Sequence, residues 1–281
     1  RHFTHSLAFI PIGGALTAWI CSKLSRNRWK WKELLVPAVL GWGTHGLLDS
    51  CTSYGTYLYW PFSHERVAWH VISIIDPLFT IPLLAGVIWA IRAQSAKISR
   101  AFVALALAYI GLGTLQLHRA EAIQAELVEQ RGHDAIRAEV KPSMANNILF
   151  RAFYEHQGVF YVDAIRVPWW GESRVYEGGS HPALVVEDFL AAHPLDPMRR
   201  DDIARFEYFS AGFLIEDPRY EGVLSDFRYA SVPNEIAPMW GVDVLGTPEN
   251  THLSWNSFQE FGADKWRRFW SMLMGRPASG E

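Results

Sequence analysis

His45 and Asp49 stand four residues apart in the string His-Gly-Leu-Leu-Asp. On a helix that spacing puts both side chains on one face, a turn apart. An imidazole nitrogen and a carboxylate oxygen so placed can hold a divalent cation at ~2.0–2.2 Å. The same pair can also tie two helices together by a simple hydrogen bond, so a third donor is needed to favour a metal. His5, in Arg-His-Phe-Thr-His-Ser, is the candidate. Asp76, in Ile-Ile-Asp-Pro-Leu, precedes Pro77 and fits two roles: an N-cap for a helix starting there, or a general base. Ionisable groups inside apolar segments are costly and point to function by default.

Four apolar stretches carry or flank these residues: Ser6–Cys21, Leu34–Cys51, Val71–Ile91 and Ala101–Leu117. Each is about 16 to 21 residues, near the ~20 needed to cross a ~30 Å hydrocarbon layer. Their internal Gly and Pro are common in membrane helices. The segment 21–33 carries Lys23, Arg26, Arg28, Lys30 and Lys32, and the segment 92–100 carries Arg92, Lys97 and Arg100. Both are expected on the cytoplasmic side, with residues 52–70 and everything after Leu117 on the other. That topology gathers His2, His5, His45, Asp49, His64, His70 and Asp76 at the outer face. Cys21 and Cys51 fall at opposite ends of spans, too far apart to pair. The chain starts at Arg1 without a Met, and is expected to be a piece of a longer one.

The charge divides the same way. Up to Leu117 there are 10 Lys and Arg against 4 Asp and Glu. After it there are 16 against 25, so a net of +6 is followed by −9. The expected architecture is an α-helical membrane domain of four spans over residues 1–117, followed by a small α+β extramembrane domain over residues 118–281. In the second, a helix is expected over His118–Arg131, a hairpin over Ile148–Tyr154 and Gly158–Val167, and a helix over Asp201–Phe213 starting near Pro197. Strands are expected at Val223–Ala230 and Met239–Val244, and a terminal helix at Phe258–Met274. Its −9 charge disfavours nucleic acid as a partner. In the segment 53–63, Tyr54, Tyr57, Tyr59 and Trp60 suit an aromatic belt or a lid over the site.

Several strings resemble a known family: Arg1–Leu7 (RHFTHSL), His45–Thr56 (HGLLDSCTSYGT), Trp60–Ser63 (WPFS) and Ile75–Thr80 (IDPLFT). The chain looks like the LexA-binding, inner-membrane-associated metal-dependent hydrolases of the YdjM type. Arg205–Phe213 and Leu224–Tyr229 resemble the longer members. The resemblance implies hydrolase activity and further ligands preceding Arg1: a His directly before it and a Pro-Asp motif earlier still. A looser similarity links the helical His and HxxxD ligands to zinc-dependent phospholipase C-like proteins.

The expected function is a hydrolase embedded in the bacterial inner membrane, acting on an ester or phosphodiester at the outer face. His5, His45 and Asp49 are the expected ligands of a divalent metal, zinc first, with manganese or iron also accepted by such donors. Asp76 is the expected catalytic group or orienting partner. Arg1, Tyr54, Arg66 and His70 are the expected contacts of an anionic, lipid-linked substrate. Membrane lipids and a protein partner of the second domain are the expected associations. The competing reading is a membrane-anchored scaffold in which the His/Asp cluster is only a structural clip.

Overall fold

A computed structural model describes residues 2–26, 28–259 and 262–277. The chain divides into two compact units: residues 1–114 with 144–147, and residues 115–143 with 148–281.

The first unit is helical. α1 (Ile10–Leu24) begins with Pro11 in its first turn, where a missing N–H costs nothing. α2 (Trp31–Ser50) is started by Lys30 N–H donating to Glu33 Oε2 at 2.9 Å. α3 (Pro77–Ala93) is capped by Asp76, which accepts from the N–H groups of Leu78 and Phe79. α4 (Ala96–Gln130) contributes its first part to this unit and the rest to the second. Close approach of α1 and α2 depends on two glycines. A Cβ on Gly13 would lie 2.7 Å from the Trp42 ring, and one on Gly14 would lie 2.9 Å from the Val39 Cα. Trp42 Nε1 then donates to Thr17 Oγ1 across the pair at 2.9 Å.

Two stretches are long and apolar enough to cross a membrane: Leu7–Leu24 and the apolar part of α4. Four crossings are not supported. α3 is apolar but has 17 residues, because residues 71–76 stay outside the helix and Asp76–Pro77 starts it late. That makes it about 25 Å long at 1.5 Å per residue. α2 has 20 residues but carries Lys32, Glu33, His45 and Asp49, and these polar groups lower its apolar character. The two long stretches leave their side chains largely outward: Ile12 is 61% exposed, Leu16 52% and Leu107 64%. A run of outward apolar residues on that scale asks for a lipid or protein cover.

The second unit is sheet-rich. β1 (Arg137–Pro142), β2 (Leu149–His156), β3 (Val159–Arg166) and β4 (Arg174–Pro182) form one antiparallel sheet in chain order. β5 (Leu214–Glu216), β6 (Val223–Asp226), β7 (Trp240–Asp243) and β8 (Ser254–Ser257) form a second, again antiparallel and in order. The β2–β3 hairpin turns at Gln157 and Gly158, both with positive φ, as a two-residue turn matched to strand twist requires. β2 is buried on both faces. Phe150 and Ala152 pack against Leu117 and Ala120 of α4, while Phe153 packs with Phe213, Ile215 and Phe227. α5 (Val186–Ala192) and α6 (Pro197–Phe209) follow β4. α6 stops short of the expected Phe213 because Ala211 and Gly212 turn left-handed. β6 stops at Asp226, whose carboxylate takes the Arg228 N–H at 3.1 Å and bends the chain away. α7 (Ala263–Leu273) seats Phe269 and Met272 against Leu149, Ala164 and Tyr176.

The second unit also encloses charge. Lys141 is 3% exposed, with Nζ 2.8 Å from Glu139 Oε2 and 4.7 Å from the centre of the Tyr229 ring. Burial pushes its ammonium down to about 8 from the ordinary 10.5, against the pull of Glu139. Below about pH 8 the folded and unfolded chains both hold this proton, and the penalty is constant. Above it the folded chain loses the proton first, so stability rises with pH toward the unfolded value. Thermal denaturation between pH 7 and 10 is expected to show that rise, and Lys141→Met to flatten it.

Candidate metal centre

The 3₁₀ turn Phe3–His5 lies directly before the first apolar stretch and packs on the end of α2. Gly46 makes this possible, since the His5 carbonyl oxygen lies 2.5 Å from where a Cβ would stand. Leu7 N–H donates to the Leu58 carbonyl at 2.9 Å, which fixes the chain leaving the turn. Ser50 Oγ donates to the Gly46 carbonyl at 3.0 Å, inside the last turn of α2.

His5, His45 and Asp49 converge as a result. One ligand atom from each lies within 4.8 Å of the others. His5 Nε2 is 3.3 Å from Asp49 Oδ2, and the His5 and His45 ring centres are 4.5 Å apart. Two donors on one tetrahedral ion at ~2.1 Å stand roughly 3.4 Å apart, so the His5–Asp49 spacing fits a shared ion. The donor set of two imidazoles and one carboxylate fits as well. Thr4 Oγ1 lies 3.0 Å from His5 Nδ1. It engages the far ring nitrogen and turns Nε2 toward Asp49, as outer partners of metal-binding histidines do. A series of aromatic rings runs from the cluster, with Trp42 edge-on to His45, Phe9 against Trp42, and Phe3 against Phe9.

The other expected site residues fall differently. Asp76 is 4% exposed and its carboxylate is taken up by the α3 N–H groups and by the Tyr109 hydroxyl at 2.9 and 3.1 Å. That engagement is a helix cap and a tie to α4. The Arg66 guanidinium donates to the Tyr54 carbonyl and packs over Gly55. Arg66 thus braces the loop that an antiparallel bridge closes at Thr56 and Val67. His70 has a left-handed backbone and is half-buried. Arg1 lies outside the described residues. Cys21 and Cys51 are free thiols, the first exposed and the second buried. Sequence reasoning did not find the supporting roles of Thr4 and Gly46. Their proximity to the histidines in sequence was visible, but not the fold-back that uses it.

In the first unit, two stretches long and apolar enough to cross a membrane and a His/Asp cluster beside one of them mark a candidate membrane-associated metal centre. Residues 1–120 match the model of the family described as YdjM inner membrane protein. The match ends at residue 120. It therefore leaves the likeness of Arg205–Phe213 and Leu224–Tyr229 to longer members outside it, and the family's description carries no LexA-binding label. No curated protein and no solved structure matches the chain.

Proposed function

We propose that the first unit is a metal-dependent hydrolase of the bacterial inner membrane, and that His5, His45 and Asp49 hold its divalent ion. The observation that carries this reading is the convergence of these three side chains from two separate elements. Zinc suits two imidazoles and a carboxylate best, and manganese or iron would accept the same donors. When bound, such an ion supplies Lewis acidity toward an ester or phosphoryl oxygen and acidifies water. The protein's own part is to aim and to confine. Thr4 orients His5, Asp49 brings negative charge to balance the cation, and Trp42, backed by Phe9 and Phe3, sets an apolar ring against His45. Tyr54, Arg66 and His70 are offered to an anionic group of the substrate.

In this reading the chain crosses the membrane more than once. Its basic loops at 21–33 and 92–100 face the cytoplasm, and the cluster and the second unit lie on the outer side. An ester or phosphodiester of a lipid-linked molecule is the substrate such a depth favours. Metal analysis of the purified wild type against the double variant His45→Ala, Asp49→Ala tests it. Stoichiometric metal in the first and its loss in the second are expected, with turnover of a phosphodiester or ester probe lost alongside. Equal metal in both would overturn the assignment.

One observation favours a second reading. The 3.3 Å separation of His5 Nε2 and Asp49 Oδ2 is also that of a plain ion pair pinning the N-terminal turn to α2. The cluster is then a clip in a non-catalytic scaffold whose second unit binds a protein. Full cellular function of the double variant, folded and without metal, would select this alternative.

A further inference from the structure

The loop after β3 exposes two adjacent tryptophans, Trp169 at 38% and Trp170 at 83%. The loop is fastened to one place on α4. Gln116 Nε2 donates to the Val167 carbonyl at 2.6 Å, and Arg119 Nη1 donates to the Pro168 carbonyl at 2.9 Å. These two positions lie where α4 changes character. From Ala101 to Leu117 the helix has no charged residue, and Arg119 follows directly after His118. Tyr109 is the middle of that run, and Arg119 lies about 15 Å further along the axis at 1.5 Å per residue. Half of a ~30 Å hydrocarbon layer is the same distance. The hydrogen bonds therefore hold the tryptophan pair beside residues 116–119 of α4, at the end of its uncharged run, and Trp side chains concentrate at such ends in membrane proteins.

A second contact set extends the same edge. Arg166 Nε donates to the Leu273 carbonyl at 2.8 Å and Arg174 Nη1 to the Gly275 carbonyl at 2.9 Å, which binds both ends of the loop's hairpin to the end of α7. α7 keeps Trp266 and Trp270 part-exposed, at 37% and 48%. Its segment Asp-Lys-Trp-Arg-Arg has a net positive charge within an otherwise acidic half of the chain, with Arg267 paired to Asp264 and Arg268 to Glu235. Indoles beside arginines suit an anionic headgroup layer.

We propose that this edge of the second unit, led by Trp169 and Trp170, docks on the headgroup layer of the bilayer that α4 crosses. The occupant is the lipid surface itself. The inference rests on α4 spanning the membrane and is independent of the metal. Its test is site-directed spin labelling of the full chain in nanodiscs containing anionic lipid. Exposed Cys21 is replaced by Ser, and buried Cys51 is left in place. Single cysteines replace Trp170, Leu107 at mid-helix and Glu129 near the far end of α4, and collisions with oxygen and with a water-soluble nickel chelate are compared. The expected ratio is deep at Leu107, aqueous at Glu129, and shifted toward oxygen at Trp170→Cys. Trp170→Cys matching Glu129→Cys while Leu107→Cys stays deep overturns the docking alone. An aqueous reading at Leu107→Cys overturns the span, and the docking with it.

Discussion

Gly46→Ala is expected to abolish the metal centre without removing a single proposed ligand. The added Cβ would stand 2.5 Å from the His5 carbonyl oxygen and 3.4 Å from its carbonyl carbon. The obstacle is backbone, so no rotamer change relieves it. The turn Phe3–His5 must lift away from α2, and His5 leaves the neighbourhood of His45 and Asp49. Within α2 itself Ala is the better helix former by about 0.5–1 kcal/mol, so the helix survives. Gly41 provides the comparison on the same helix. Nothing lies within 4 Å of a Cβ placed there, and Gly41→Ala is expected to be silent or slightly stabilising. Metal content and thermal stability measured on both variants give the answer. Full metal in Gly46→Ala would mean that His5 is not needed, and that the N-terminal turn is not part of the site.

The contrast between these two glycines shows what can be read from a linear chain. The spacing of His45 and Asp49 fixes a common face once α2 is a helix, and α2 does form. The proximity of His5 depends on a turn, a carbonyl at Leu58 and a missing methylene at Gly46, none of which has a periodic signature. Two of the four expected spans fall short of a long apolar helix for a related reason. Apolar composition runs through residues 71–91, but Asp76 binds the N–H groups of Leu78 and Phe79 and decides where the helix starts. In the second unit the β2–β3 hairpin was readable because β-branched and aromatic runs flank a short polar break. β1 and β4 were not read as strands, because Arg-Ala-Glu-Val-Lys-Pro and Arg-Val-Tyr-Glu-Gly-Gly-Ser-His-Pro lack a hydrophobic run. They form because the β2–β3 hairpin offers each of them a free edge to pair with. Gly178 in β4 is required there by contact, a Cβ falling 2.2 Å from the Val162 carbonyl oxygen.

The largest stability loss is expected from Arg151→Met in β2. Arg151 is 5% exposed, and its guanidinium donates to three backbone carbonyls: Phe227 at 2.7 Å, Pro233 at 2.8 Å and Glu235 at 2.7 Å. All three belong to the irregular stretch between β6 and β7, which has few ladder bonds of its own. One cation thus replaces the hydrogen bonds that a strand would have made for residues 227–235. Burial pushes the guanidinium down, while Asp226 and Glu235 favour its charge. Methionine matches the stem in bulk but leaves three enclosed acceptors without donors, at roughly 1–3 kcal/mol for each. Breaking a buried charge arrangement from one side typically costs about 3–5 kcal/mol in total, and that is the expected loss. Arg267→Met is the comparison. Arg267 pairs with Asp264 on α7 with both side chains open to water, so its loss should change stability by less than about 0.5 kcal/mol. Chemical denaturation of the two variants followed by tryptophan emission separates the cases. Equal, small effects would mean that water reaches residues 227–235 in solution and that the buried arginine does not organise them.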